Sequence, residues 1–490
     1  MKDPWSVFRL AVVAVWIGLV ATLVHRGDER ARTGTAPAVL LPAAPSPDSE
    51  WMGVYLNNKK IGYSRQTFRK LGTGYRFEQF SLMRVSVMNV TQNVRVTVDG
   101  ETGPDFALQT FSASLTSGVG DFAARGHVEG KELVVAMRMG KEETTQRLPL
   151  DEPIYLPASA RRYLSNATLQ PGRELTMRVF DPSTMTHQPM KVTVEGEEEL
   201  PLRGGEKVKT WRVREEFRGV QNTVWFDPEG RVLREAGPLN MVAQRESADE
   251  AVAAGWESDV AFDLMAAVAI HVTGNLPAPR LTKRLELRLN GIPDFPVPDD
   301  ERQRRVGAVL VIEREEAGAG GTYPLPYRDE RWRAELASGT FLQTEHPRIR
   351  QAMHEAVQNE ADARKASERI ARWVNKRLRK VPTASLPNAL QVLEMKQGDC
   401  NEHAVLFAAL ARAAGIPTRV VAGIVYADGG FLYHAWNEVW LGQGWVTVDA
   451  TFDQFPADAT HVKLVEGGPE VHDRLLQVIG RLSVDVLRVG

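Results

Sequence analysis

The chain has 490 residues, a length that predicts roughly three domains of about 150 residues each. Hydrophobic residues make up 43% and charged residues 25%, an ordinary globular composition that excludes a disordered or fibrous protein. The 60 Lys and Arg residues nearly balance the 62 Asp and Glu residues, giving a net charge of −2, so the basic excess typical of nucleic-acid-binding proteins is absent.

An apolar segment near the amino terminus predicts a membrane anchor over residues 1–32. Residues 10–24 carry no charge, and basic residues flank them on both sides. As a helix this segment spans about 22 Å, less than the roughly 30 Å hydrocarbon core of a bilayer, but the flanking arginine side chains can reach the surface. A cleaved signal peptide has the same order of charged and apolar residues. Because no small-x-small cleavage site follows closely, we expect an uncleaved, single-pass anchor.

The orientation of this anchor is not fixed by its flanks, because basic residues on both sides give the positive-inside rule no preference. The whole chain contains one cysteine. Scarcity of cysteine suits an oxidising compartment, although many cytosolic proteins share it. We expect the body of the protein to lie outside the cytoplasm. Residues 33–50 contain four prolines among small residues and predict an extended linker between membrane and body.

The segment 51–247 predicts a large antiparallel β domain. Apolar and polar residues alternate along several stretches, for example 94–98, and turn-forming pairs such as Asp99-Gly100 separate them. A sheet of this size could curve into a half-barrel. The segment has no glycine-rich phosphate loop and no cluster of metal-ligating residues. We therefore expect a structural or substrate-docking role for it.

The segment 248–340 predicts a small connecting β domain. A helical pattern from Ala248 to about His271 gives way to prolines, and apolar residues then alternate with polar ones over 281–289. The last segment, 341–490, opens with a polar helical pattern and contains the only thiol. The fold class predicted for the chain is therefore α+β, with a transmembrane anchor and two β domains before a mixed carboxyl-terminal domain.

The lone cysteine lies at the predicted amino terminus of a buried helix. Gly398-Asp399 provides a turn and a cap just before Cys400, and residues 404–414 are rich in alanine and leucine with a single charge. The macrodipole and free N–H groups at such a terminus favour thiolate, the reactive form of cysteine, and could hold a developing oxyanion. A single thiol forms no internal disulfide and no multi-thiolate zinc site. Cys400 is therefore either a packed, inert thiol or a nucleophile.

A base and an orienting carboxylate for this thiol are predicted on two later strands. The segments 431–441 and 445–451 flank a glycine-rich turn. With a two-residue loop after Leu441, His434 and Asp449 become diagonal neighbours on one face of a hairpin, about 7–8 Å apart at Cα and within side-chain reach. A four-residue loop gives the same register. A three-residue loop without a bulge would put the carboxylate on the opposite face.

The order Cys400, His434, Asp449 resembles the transglutaminase-like superfamily, whose papain-related fold uses a Cys-His-Asp triad. The matching sequences are GDCNEHAVLFAALARAAGIPTRVVAGIVY, HAWNEVWL and GWVTVDATF, and the resemblance covers about residues 345–465. It implies a transglutaminase-like (papain-like) domain over 341–490. In that domain Cys400 would attack an amide carbonyl, His434 would transfer protons, and Asp449 would hold the imidazole in its productive tautomer.

The resemblance implies thiol-dependent acyl transfer on amide bonds, by a cysteine protease or amidase if water takes the acyl group and by a transglutaminase if an amine does. Bacterial envelope relatives favour hydrolysis. The expected substrate is a protein or peptide amide in the cell envelope, with the catalytic domain in the periplasm, the N-terminal helix in the membrane and no nucleic acid as partner. The alternative is a non-catalytic, membrane-tethered binding or scaffold protein that uses its β domains.

Other residues close to the triad have simpler interpretations. His403, three residues after Cys400, could meet the thiol on the helix, but no carboxylate is evidently positioned to orient it. Trp436 shares the face of His434 by parity and predicts core packing, although it could line the site. Cys400, His403 and His434 could supply part of a zinc site. The other histidines, such as His461, are scattered in the sequence. We predict no metal and no cofactor.

Overall fold

The computed structural model describes residues 49–87, 90–117, 120–139, 142–165, 169–182, 186–202, 205–253, 269–316, 318–339, 341–380, 388–427, 429–467 and 474–490. The anchor predicted over 1–32 lies outside these residues, as does the predicted linker except for its last two positions, which open the first strand at Ser49. Within the described ranges, no helix is long and apolar enough to cross a bilayer. The chain divides into two compact units, Met1–Ala267 and Val268–Gly490.

The first unit is built on one sheet of 15 strands. In chain order these are β1 (Ser49–Leu56), β2 (Lys59–Leu71), β3 (Gly74–Val87), β4 (Val90–Thr102), β5 (Leu108–Ser117), β6 (Gly120–Glu129), β7 (Glu132–Met139), β8 (Glu142–Pro149), β9 (Ile154–Tyr155), β10 (Glu174–Asp181), β11 (Thr186–Pro201), β12 (Lys207–Phe217), β13 (Val220–Phe226), β14 (Val232–Ala236) and β15 (Met241–Glu246). The strand order is β8 to β1 followed by β15 to β9, so the first and last strands pair at the middle of the sheet. Neighbouring strands are antiparallel except β9 and β10.

Period-two burial explains why these residues form a sheet. In β7 the side chains of Leu133, Val135 and Met137 are buried and alternate with more exposed residues, so one face of the strand meets an apolar core. Among the described residues of this unit, the helices α1 (Pro157–Ser165) and α2 (Ala248–Val252) flank the sheet, with a 3-10 turn at Pro238–Asn240.

The helix predicted from Ala248 to about His271 differs from the one observed. Helix α2 begins at the predicted position, where Ser247 and Glu250 form a capping box, but it ends at Val252. Residues 254–268 lie outside the described part of the chain, and His271 opens strand β16 (His271–Thr273) of the second unit.

In the part of the second unit that the structure describes, the strands form three sheets. The five-stranded sheet has the order β16, β26 (Ser483–Val489), β17 (Arg284–Asn290), β19 (Val309–Glu313) and β18 (Gln303–Val306). The two-stranded sheet pairs β20 (Arg379–Lys380) with β21 (Gln397–Gly398), and the four-stranded sheet has the order β24 (Trp445–Val448), β23 (Gly430–Trp440), β22 (Thr418–Ala427) and β25 (Val462–Glu466). The helices are α3 (Arg333–Leu336), α4 (Pro347–Val357), α5 (Ala363–Arg377), α6 (Ala389–Met395) and α7 (Cys400–Ala413), with 3-10 turns at Pro279–Leu281 and Glu330–Trp332.

The segment predicted as a separate connecting domain, 248–340, is not a separate unit. Strand β17 pairs with β26 on one side and with β19 on the other. Its Leu285 and Leu287 side chains are fully buried in a cluster that also contains Ile424 and Val484. Alternating leucines need an apolar partner surface, and here the later parts of the chain supply it. The local pattern predicted the strand correctly but could not reveal its long-range partners.

Helix α7 lies in the core of the second unit. Its side chains from Glu402 to Ala411 are all buried, which is the pattern of a helix surrounded by other elements. Helices α4, α5 and α6 and strand β23 pack against it. Gly415, with φ +82°, follows the helix end as the sequence indicates.

The β23–β24 hairpin has the register predicted for a two-residue loop. The backbone N–H of Leu441 donates to the carbonyl of Gly444 at 3.0 Å, and Asn437 lies opposite Val448. Gly442 adopts φ +95°, a left-handed conformation that glycine accepts without strain. Because side chains alternate between the two faces of a strand, the side chains of His434 and of Asp449, the residue after β24, lie on the same face of the sheet.

Strand β25 lies so close to Gly423 of β22 that a side chain at this position should lower the stability of the fold. A Cβ there would overlap the carbonyl oxygen of Val462 and lie 3.0 Å from the ring of Trp436. We expect Gly423→Ala to lower the free energy of unfolding by about 1–3 kcal/mol, measured by chemical denaturation. Gly430→Ala in β23 is the matched control, because a Cβ there meets open space. Its change should stay within about 0.5 kcal/mol, and equal losses in both variants would contradict the close approach.

Candidate active site

Helix α7 starts at Cys400 because the flanking residues cap it. The Asn401 N–H donates to Asp399 Oδ1 at 2.8 Å, and the Asp399 N–H donates to Glu402 Oε2 at 2.8 Å, forming a capping box. Gly398 makes room for this arrangement, since a Cβ there would overlap the Glu402 side chain. The local sequence therefore fixes the thiol in the first residue of a well-defined helix terminus.

The Cys400 thiol is buried, with 6% of the residue exposed. Burial is the main cause that raises the pKa of Cys400 well above its ordinary value, and the negative charge of Asp399 adds to it. A hydrogen bond with the Ala435 backbone acts in the opposite direction, while Glu402 and Asp449 raise the pKa further. Desolvation of the anion therefore opposes the stabilisation of thiolate by the helix terminus and favours the neutral thiol.

Strand β23 contains His434 and also provides a backbone contact to the thiol. Ala435, whose backbone bonds to Cys400, directly follows His434. The His434 Nε2 atom lies 2.8 Å from Asp449 Oδ2. Since a carboxylate oxygen can only accept, Nε2 carries the proton and donates it, which leaves Nδ1 of the neutral ring as the proton acceptor. The structure thus brings together the predicted histidine and carboxylate beside the strand segment that contacts the thiol.

Asp449 is a fully buried carboxylate that accepts four hydrogen bonds. Its Oδ1 accepts from the backbone N–H groups of Thr451 at 2.7 Å and Phe452 at 3.1 Å. Its Oδ2 accepts from His434 at 2.8 Å and from His461 Nε2 at 2.9 Å. Burial alone would raise the pKa of Asp449, but its interactions with the imidazoles of His434 and His461 hold this pKa well below its ordinary value.

His461, one of the histidines scattered in the sequence and not predicted to belong to the site, also contacts Asp449. This residue lies 12 positions after Asp449 and immediately before β25, and its side chain is fully buried. Its Nδ1 lies 3.1 Å from the carbonyl oxygen of Asp458 and 3.3 Å from Asp458 Oδ1. The Asp-x-x-His spacing is a weak local signal for this second pair, and no local pattern indicates its approach to Asp449.

Aromatic rings enclose the His434 imidazole. The ring centroids of Phe452 and Trp436 lie 5.1 and 6.1 Å from that of His434, both in stacked orientation. Trp436 also meets His461 at 5.2 Å, and the Arg280 guanidinium lies 4.5 Å from the Phe452 ring centroid. Trp436 is buried and so both packs in the core and lines the imidazole cluster. Exclusion of water by these rings strengthens the hydrogen bonds inside.

His403 has no carboxylate partner among the described residues. Its Nδ1 donates to the Asp399 carbonyl oxygen at 2.6 Å, and its buried Nε2 has no hydrogen-bond partner in the described part of the chain. Burial lowers the pKa of His403, although the bond to Asp399 opposes this, so the ring is neutral near pH 7. The geometry favours His434 over His403 as the base.

One group of described residues could offer three ligand atoms to a metal ion. The nitrogen and oxygen atoms of His434, Asp449 and His461 lie within 4.8 Å of one another, and this set differs from the partial set considered from the sequence. Both Nε2 atoms, however, donate a proton to the same carboxylate oxygen. A protonated imidazole nitrogen has no lone pair for a metal. We therefore interpret the group as two histidines hydrogen-bonded to one carboxylate.

Comparison with known families identifies two regions. Residues 350–450 match the transglutaminase-like superfamily, and residues 53–236 match a family described as protein of unknown function (DUF3108). The carboxyl-terminal region is therefore a transglutaminase-like domain. Curated proteins give no significant match to the chain.

Three solved structures show weak similarity. A candidate cysteine protease from Cytophaga hutchinsonii has 16% identity and a TM-score of 0.26, and the alignment covers 43% of this chain and 78% of that one. A β-barrel-like protein of the DUF1849 family from Brucella abortus has 13% identity and a TM-score of 0.33, with coverage of 40% and 94%. A candidate protease from Parabacteroides distasonis has 12% identity and a TM-score of 0.19, with coverage of 79% and 63%. Scores this low support no inference about activity.

The buried, protonated thiol predicts slow alkylation of Cys400. Thiolate is the reactive form, so we expect iodoacetamide at neutral pH to label the folded protein at least about tenfold more slowly than the same chain in urea. Because Cys400 is the only cysteine, intact-mass spectrometry reports this site alone, and Cys400→Ala gives the background. Labelling of the folded protein as fast as of the unfolded chain would contradict a buried thiol.

Proposed function

We propose that the transglutaminase-like domain catalyses thiol-dependent acyl transfer on amide bonds. In this proposal Cys400 is the nucleophile, His434 transfers protons and Asp449 orients the imidazole. The observation that carries it is the 2.8 Å hydrogen bond between His434 and Asp449, on the strand whose backbone bonds to the thiol. That bond fixes the tautomer in which the other ring nitrogen can take a proton.

The resting thiol is neutral, so the reaction starts with proton transfer. The sulfur of Cys400 attacks the amide carbonyl carbon while its proton moves to His434 Nδ1. The positive end of the α7 macrodipole lies at the nucleophile and stabilises the developing oxyanion. The imidazolium then gives its proton to the leaving amine as the C–N bond breaks, which leaves a thioester. Water or a second amine attacks the thioester, loses its proton to His434, and releases the thiol.

The acceptor decides between two outcomes of the same chemistry. Water gives a cysteine protease or amidase, and an amine gives a transglutaminase. The proposed substrates are proteins or peptides of the cell envelope. The proposed location is periplasmic, with the predicted anchor over residues 1–32 holding the chain to the membrane as a single-pass protein.

A second candidate function is a non-catalytic binding or scaffold protein at the membrane. The burial of Cys400, at 6% exposure, and the raised pKa of its thiol favour this alternative. In that case the 15-stranded sheet of the first unit would recognise the partner. The two candidates differ in whether any covalent product forms.

Cys400→Ala tests the enzyme hypothesis directly. We expect full-length wild type incubated with a bacterial envelope extract to generate new peptide termini or isopeptide links that mass spectrometry detects. Cys400→Ala and Cys400→Ser should both lose at least about 10³-fold of this turnover, because each lacks the thiol nucleophile. Circular dichroism checks that both variants fold. Products that persist at the wild-type rate in folded Cys400→Ala would remove the enzyme hypothesis.

Asp449→Asn tests the orienting carboxylate. An asparagine offers one acceptor oxygen and an NH₂ group to four N–H donors, so the imidazole loses its fixed tautomer. We expect kcat/KM for a peptide found in the envelope experiment to fall by about 10²–10⁴; in a serine triad the equivalent change costs about 10⁴. Asp449→Ala should lose at least as much. If both variants keep the wild-type rate and pH profile, Asp449 is only structural.

A further inference from the structure

A second imidazole, that of His461, shares the Asp449 carboxylate with His434. Both Nε2 atoms bond to the same oxygen, at 2.8 Å for His434 and 2.9 Å for His461. The two ring centroids are 5.7 Å apart and the ring planes are inclined at 62°, so the rings contact the carboxylate independently. The acyl-transfer steps use only one imidazole. A fully buried second ring therefore needs another explanation.

Hydrogen-bond rules make His461 an imidazolium. Its Nε2 faces a carboxylate oxygen of Asp449, and its Nδ1 faces both the carbonyl and a carboxylate oxygen of Asp458. All three oxygens are acceptors, so both ring nitrogens must donate. In a neutral ring one nitrogen would lack a proton, and its lone pair would face an acceptor oxygen, which is unfavourable. In agreement, burial alone would lower the pKa of His461, but its bonds to Asp449 and Asp458 and their charges raise this pKa above its ordinary value.

Asp458 is itself a carboxylate anion. Its Oδ2 forms an ion pair with Arg280 Nη1 at 2.9 Å, and its Oδ1 accepts from the Thr460 backbone N–H at 2.8 Å. Burial would raise the pKa of Asp458, yet the hydrogen bond and charge of His461 hold it well below the ordinary value. Opposite charges therefore alternate along a row of side chains: Arg280, Asp458, His461 and Asp449.

The positive charges of Arg280 and His461 balance the negative charges of Asp458 and Asp449, so the row is neutral without any charge on His434. We propose that His461 is a positioning residue whose positive charge neutralises Asp449 and so keeps His434 neutral, with Nδ1 ready for the thiol proton. This role rests on the proposed function. With a lone Asp449, protonation of His434 would neutralise the pair. In the observed cluster the same proton leaves a net positive charge in a buried site, which is unfavourable.

The charged groups that face His461 come from several elements. His434 lies on β23, Asp449 follows β24, and Asp458 lies in the loop before β25. Arg280, from the 3-10 turn at the start of the unit, reaches the cluster through Asp458. Arg302 also donates to the Asp458 carbonyl oxygen that His461 Nδ1 faces, and its charge is paired with Glu315. The rings of Trp436 and Phe452 add no charge. Loss of the His461 charge therefore acts mainly on Asp449 and, through it, on the proton affinity of His434.

The test is the pH dependence of Cys400 alkylation by iodoacetamide in the full-length protein. This probe needs no substrate, and the thiol is the only one in the chain. His461→Gln keeps a donor for Asp449 but removes the charge, whereas His461→Lys keeps the charge. We expect the first rise of the alkylation rate with pH to move upward by about 1 pH unit or more in His461→Gln. In His461→Lys it should stay close to that of wild type.

His403→Gln is the matched control, because it removes another fully buried histidine of the same domain, one that is neutral. Its profile should match that of wild type. An unchanged profile in folded His461→Gln, or an equal shift in His403→Gln, overturns the proposal. The apparent pKa of the first rise belongs to the coupled Cys400 and His434 pair, so the shift between variants is the quantity to compare.

If neither His461 variant folds, the pH dependence of the stability of the wild-type protein tests the charge of His461. A histidine whose folded-state pKa is raised stabilises the fold fully below about pH 6.5, and this stabilisation is lost as pH rises through the folded-state pKa. We therefore expect the free energy of unfolding, measured by chemical denaturation, to fall as the pH rises above about 6.5. A constant or rising free energy in this window overturns the assignment of a cationic His461.

Failure of the enzyme hypothesis and failure of the His461 proposal give different experimental results. If wild type forms no covalent product from the envelope extract but the alkylation profile shifts in His461→Gln, the charge role of His461 stands and the enzyme hypothesis fails. If wild type turns over amides and the profile does not shift, the His461 role fails and the triad remains.

Discussion

The buried Asp449 carboxylate is the group on which the site depends. A buried anion is costly unless its oxygens are fully hydrogen-bonded and its charge is paired. Here the donors come from β23, from the turn after β24 and from the residue before β25. The chain can satisfy this carboxylate only when all three segments are in place. The candidate active site is therefore complete only when these three segments of the second unit are folded together.

The parts of this site that follow from short-range rules were predictable from the sequence. Gly398-Asp399 indicates a turn and a cap just before Cys400, and a two- or four-residue loop at the glycine-rich turn puts His434 and Asp449 on one face. His461 and Arg280 were not predictable in the same way. The first reaches Asp449 through an irregular loop, and the second comes from a distant part of the chain. The partners of β17 were hidden for the same reason, since alternation indicates a strand but not its neighbours.

Two opposing effects act on the pKa of the Cys400 thiol, and the larger one sets the direction of the shift. A helix amino terminus stabilises a nearby anion by about 0.3–1 kcal/mol at exposed sites. Burial of an ionisable group can shift its pKa by up to about 3–5 units, equivalent to several kcal/mol. Cys400 lies at the terminus of α7 and is also buried, so the larger effect wins. The extent of burial at this position depends on packing by β23 and neighbouring helices, which the local sequence does not reveal.

The buried, solitary thiol has a consequence for redox chemistry. Disulfide exchange and oxidation to sulfenic acid both begin with an accessible thiolate. Cys400 is protonated and covered, and no other cysteine in the chain can form an internal disulfide with it. In the oxidising compartment proposed for this protein, small disulfides and peroxides would react slowly with the resting site. The proposed nucleophile could then stay reduced without a dedicated reductant, and its exposure to oxidants would be limited to the time it spends in the proposed reaction.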